Sequence, residues 1–146
     1  MYDAGNILKF TPFYFKNGHP AKTKYFVVLK NLENQTILAS LPTSKDFIPE
    51  DIVIEKGCVD FPEINVNCFV ISSKESITDC NKHFPRTTFI YGYQIDLYDW
   101  NYLNNHYKIE GVDFEFFGKM KQEIFEDLIH CLKNSSSVKY KHRRIL

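Results

Sequence analysis

The stretch from Lys24 to Leu41 reads KYFVVLK-NLEN-QTILASL and restricts the fold more than any other. KYFVVLK is a continuous β-branched and aromatic run with charged ends, the pattern of a strand. Asn31 to Asn34 is turn chemistry, and QTILASL reads as the returning strand of a hairpin. Pro42 has no N–H to give a ladder and stops that strand. A hairpin this apolar is not stable alone, so the remaining chain must supply strands or a helix to cover it.

The rest of the sequence offers those parts. Gly5–Phe10 (GNILKF), Ile52–Ile54, Val66–Ile71 (VNCFVI) and Thr87–Ile95 (TTFIYGYQI) read as strands. Gly92, inside the last of these, signals a bulge or a close backbone approach. Thr11–Thr23, rich in Pro, Gly, Asn and Lys, reads as a long loop. Ser72–Pro85 and Asp96–His106 read as irregular. Lys119–Lys133 has helical period, with Met120, Ile124, Leu128, Cys131 and Leu132 on one face. Val138–Lys141 reads as a last short strand before a basic tail. The expected fold is mainly β with a C-terminal helix, curled into a small, partly open barrel. No repeat or long linker divides the 146 residues, so residues 1–146 are expected to form a single domain.

Hydrophobic residues at 44% and charged residues at 25% give a globular rather than a disordered balance. No apolar run reaches the roughly 18 residues that a membrane helix needs, and no secretory leader is read. Cys58, Cys68, Cys80 and Cys131 have no zinc-type spacing. The expectation is therefore a cytoplasmic protein with reduced thiols, no metal and no cofactor.

The formal net charge is zero, but the charges are segregated. Lys9, Lys16, Lys22, Lys24 and Lys30 lie in a stretch without acids, as do Lys133, Lys139, Lys141, Arg143 and Arg144. If these two basic ends meet, they form a positive face for nucleic acid or an acidic partner. The plainer alternative is lysines that solvate loops and edge strands.

The order GNILKF, then Gly18-His-Pro20, a Lys-rich loop, KYFVVL, ILASLPTS and a late helix resembles the MazF/PemK (Kid-like) family of toxins of toxin–antitoxin systems. The resemblance implies an SH3-like small barrel. It also implies endoribonuclease activity on single-stranded RNA without a metal, by attack of the 2′-OH. Cleavage of this kind needs a base, an acid and a cation to hold the charged phosphorane. The resemblance further implies a homodimer held in check by a cognate antitoxin protein. Carried over position by position, it puts the family's arginine on Lys24 and its Thr/Ser pair on Thr43 and Ser44, with Tyr93 and Gln94 at the position of an acidic residue and its neighbour. Lysine lacks arginine's planar grip on phosphate, and tyrosine is a poor base at neutral pH. His19 is then the best proton carrier.

The catalytic candidates are therefore His19, Lys24, Thr43 and Ser44, and the RNA-binding candidates are Lys16, Lys22, Arg86, Tyr93 and Gln94. Each has a plainer reading as a solvated loop residue, an edge charge or a turn cap. Tyr98, Trp100, Tyr102 and Tyr107, in acidic company, read as a partner or dimer surface. The departures at Lys24 and Tyr93 keep an alternative open, a non-catalytic barrel that binds RNA or a protein partner. Residues 57–86 match the resemblance poorly.

Overall fold

The computed structural model describes residues 2–15, 18–42 and 56–146. In chain order the strands are β1 (Asn6–Phe13), β2 (Lys22–Asn31), β3 (Gln35–Ser40), β4 (Gly57–Phe61), β5 (Val66–Ile71), β6 (Thr88–Tyr91), β7 (Ile95–Asp99) and β8 (Phe114–Lys119). The helices are α1 (Trp100–His106), α2 (Gln122–Lys133) and α3 (Tyr140–Arg143), with short 3-10 turns at Pro62–Ile64 and Gly92–Gln94.

The hairpin forms as its sequence dictates: β2 and β3 pair antiparallel, with Phe26 opposite Ser40, Val27 opposite Ala39 and Val28 opposite Leu38. It is the centre of a five-stranded sheet in the order β7-β3-β2-β1-β8. A second sheet runs β4-β5-β6. The two sheets meet where the Phe89 N–H donates to the Pro42 carbonyl at 2.9 Å. The expectation of a mainly β chain with a late helix holds. Among the described residues, however, the ladders form two sheets and no closed barrel. Among the described residues, no helix is long and apolar enough to cross a membrane.

Strand alternation sends consecutive side chains of β2 to opposite faces. Val27 and Leu29 join Ile37, Ala39, Phe69, Ile71, Ile90, Leu128, Cys131 and Leu132 in an aliphatic core between the large sheet, the small sheet and α2. Phe26 and Val28 join Leu8, Phe10, Phe13, Leu38, Tyr98, Leu103 and Tyr107 in an aromatic core on the other side. There Phe13 lies 4.5 Å from Phe26 and 5.6 Å from Tyr107, ring centre to ring centre. These spacings suit aromatic pairs.

Several segments depart from their sequence reading. Asp96–His106 is ordered, as β7 and then α1. α1 is capped by Asp99, whose carboxylate accepts from the Asn101 N–H at 2.7 Å and the Tyr102 N–H at 3.3 Å. Tyr98 and Tyr107 belong to the buried aromatic core, so they are not an exposed partner surface. Residues 140–143 are helical rather than extended. Gly92 marks a close approach: a Cβ there would come within 2.9 Å of Val138 Cγ2 and 3.1 Å of Asn67 Oδ1. The expectation of four reduced thiols fails too, because a disulfide joins Cys58 on β4 to Cys131 on α2, 73 residues apart in sequence. Cys68 and Cys80 are free thiols, and burial pushes the Cys68 thiol up to about 11.

Candidate functional site

At one end of the aromatic face the cover stops, and a cavity of about 660 Å³ opens there. Alternation along β2 places Lys22 and Lys24 on the same side as Phe26, and all three line the cavity. β3 contributes Ser40, directly opposite Phe26. β7 contributes Asp96 and Tyr98, and the turn before it contributes Tyr93 and Gln94. Phe15, His19 and Pro20 come from the connection between β1 and β2, and Lys139 arrives from the residue that precedes α3. The two basic ends of the sequence therefore do meet, at Lys22, Lys24 and Lys139.

The electrostatics of the wall follow from this crowding. Partial burial, and then the neighbouring Lys22, hold the Lys24 ammonium below the ordinary lysine value of 10.5. Two cations held close with restricted hydration gain when an anion comes between them. The Lys22 ammonium sits 5.9 Å from the centre of the Phe15 ring, within cation–π range. Burial, reinforced by Asp96, Tyr107 and Tyr102, holds the Tyr98 phenol above its ordinary value, so it remains neutral at physiological pH. Tyr93 is 46% exposed and presents ring surface at the rim. The wall thus combines cations, exposed ring surface and hydrogen-bonding groups.

Of the residues singled out from sequence, His19, Lys22, Lys24, Tyr93 and Gln94 are brought together here. Arg86 is exposed and is not part of the cavity wall. Thr43, Ser44 and Lys16 lie outside the described residues. Sequence reasoning missed Phe15, Phe26, Ser40, Asp96, Tyr98 and Lys139 as wall residues. Counting back in twos from Phe26 to Lys24 and Lys22 finds one side of the cavity. Nothing local to Lys139 foretells its contact with residues so far away in sequence.

Residues 22–146 match the family model for DNA polymerase family B, exonuclease domain. The chain belongs to that family, because the match covers most of its length. Among curated proteins and solved structures, none matches the chain significantly. The family match overturns the MazF/PemK resemblance, and with it the toxin–antitoxin assignment and the metal-free endoribonuclease activity. The short motifs behind the resemblance are strand and turn chemistry. A hairpin with a lysine at its mouth arises wherever an alternating strand leaves a sheet, whatever the family.

Polymerases and nucleases commonly cut phosphodiesters with two metal ions about 3.5–4 Å apart. Such hard cations need a group of oxygen ligands, chiefly carboxylates. Among the described residues no group of three or more His, Cys, Asp and Glu side chains could hold a metal ion. Asp96 is the single acid in the cavity wall among the described residues. A metal pair therefore does not fit the described site.

Proposed function

We propose that this chain holds a single strand of DNA in the cavity, as a strand-binding part of a family B polymerase-type exonuclease. The family supplies the polymer, and one observation carries the reading: Lys22, Lys24 and Lys139 converge beside Phe15, Tyr93 and Gln94 on a single cavity. The lysines take the phosphates, and the ring surfaces take the bases. On the same reading, the Phe89–Pro42 contact makes the two sheets the halves of a small, partly open, SH3-like barrel with the strand at its mouth. A solved structure in which β6 turns away from the end of β3 would remove that description of the fold.

Binding of a fluorescent single-stranded DNA is measured by anisotropy across a series of salt concentrations. Three phosphate contacts predict a slope of log K against log salt of about −2, and Lys24→Ala should flatten it by about 0.7. Absence of binding, or binding indifferent to salt, refutes the strand-holding reading. Release of nucleotides on adding Mg²⁺ would assign hydrolysis to the chain itself and overturn binding as its whole function.

A further inference from the structure

Lys139 belongs to the cavity wall and also opens a second surface. Its carbonyl accepts from the His142 N–H at 2.9 Å and the Arg143 N–H at 3.0 Å, so α3 begins at the cavity. The segment is pinned to the body. Val138 and His142 are buried, and Ile145 and Leu146 pack against the aliphatic core. Between the two buried residues Lys139, Tyr140 and Lys141 are exposed, and Arg144 is exposed beyond them. Residues 133–146 carry five cations and no acid.

The Tyr140 ring is 69% exposed, more than those of Tyr14, Tyr93 and Phe116. The Arg143 guanidinium lies 5.7 Å from its centre, within cation–π range. Exposure this high leaves ring surface for a stacking base with the guanidinium in place. Tyr140, Arg143 and Arg144 fall at i, i+3 and i+4, on one side of the turn, and Lys141 lies three residues before Arg144. An apolar partner would meet cations around the ring. A single strand matches both, because its phosphates take cations and its unpaired bases take ring surface.

We propose that a single strand held in the cavity runs on past Lys139 over α3, where a base stacks on Tyr140 and phosphates meet Lys141 and Arg144. This extension rests on the strand-holding reading above. The test compares oligothymidylates of four and of twelve nucleotides, within the roughly 4–16 that strand-binding sites hold, by anisotropy with the full chain across a salt series. Two further cations predict a slope of log K against log salt of about −2 for the short strand and about −3.5 for the long one. Tyr140→Ala should weaken the long strand about tenfold and leave the short one unchanged, and Tyr140→Phe should keep the long strand's affinity. Lys141→Ala should flatten the slope by about 0.7 for the long strand alone. Equal slopes at both lengths, or a Tyr140→Ala variant that binds both as the unaltered chain does, overturn the extension and leave strand holding in the cavity intact. An equal loss at both lengths overturns it too, because Tyr140 would then serve the cavity. Polyglutamate that displaces the long strand as well as unlabelled strand does would show a surface that reads charge alone, and overturns the stacking. Failure of both lengths to bind the unaltered chain overturns strand holding itself.

Discussion

The two faces of the large sheet are made by the same strands, one residue out of step, and they have become different materials. On one face Val27, Leu29, Ile37 and Ala39 meet the small sheet and α2, and every layer is covered. On the other, Phe10, Phe13, Phe26 and Tyr98 are covered by α1 and the chain around Tyr107, but the cover stops short of Lys22 and Lys24. Aliphatic side chains interdigitate and leave few voids. Aromatic side chains make large, rigid walls, and here those walls border a cavity. The comparison suggests a division of labour, in which the aliphatic side supplies stability and the aromatic side supplies the surface for a ligand.

The largest expected effect tests the stability side. Cys58–Cys131 ties β4 to α2 behind the aliphatic core, and its 73-residue separation corresponds to about 4 kcal/mol of chain entropy. Cys58→Ser should lower the urea midpoint accordingly and leave strand affinity unchanged under conditions where the fold persists. A parallel fall in affinity would mean that the two faces are coupled and the division is false.

A smaller effect is expected at Gly92, where the two sides come together. Gly92→Ala drives a methyl against Val138, one residue before the wall lysine Lys139, and overpacking of this kind costs about 1–3 kcal/mol. Because the turn also carries Gln94, the variant should lose both stability and strand affinity, unlike Cys58→Ser. Calorimetry paired with anisotropy reads both, and loss of stability alone would separate the turn from the site.

The smallest effect is the pH response of Lys24, whose ionisation lies below 10.5 because of burial and Lys22. As pH rises through that lowered value the folded chain loses the charge, so strand binding should weaken before ordinary lysines titrate. The stability effect has the opposite sign. Between the folded and unfolded values the unfolded chain binds more protons, so stability should rise with pH there. Lys24→Met should abolish both trends, and an unaltered pH profile of binding in that variant would show that Lys24 does not contact the strand.

The parts of this fold that could be read from sequence are those whose signal is local. The β2–β3 hairpin was legible because KYFVVLK and QTILASL flank a turn. α2 was legible because Leu128, Cys131 and Leu132 recur at helical spacing. β7 and α1 were hidden because Asp96 and Asp99 look like loop residues, although Asp99 is the helix cap and Asp96 faces the cavity. The disulfide and Lys139 were not legible because each depends on long-range packing. The candidates Lys22, Lys24, Tyr93, Gln94 and His19 did share a site. The family attached to them was mistaken, because strand and turn motifs carry little family information.

Lys139 gives the cavity a history as well as a wall. A ribosome that has made the chain only as far as Ser135 has produced every described strand and α2, but not the lysine that comes back to face Lys22 and Lys24. At that stage the sequences of all the described strands have been made, and one of the three cavity lysines has not. The full set of cavity lysines is therefore completed late in synthesis, after the sequences of every described strand and of α2 have been translated.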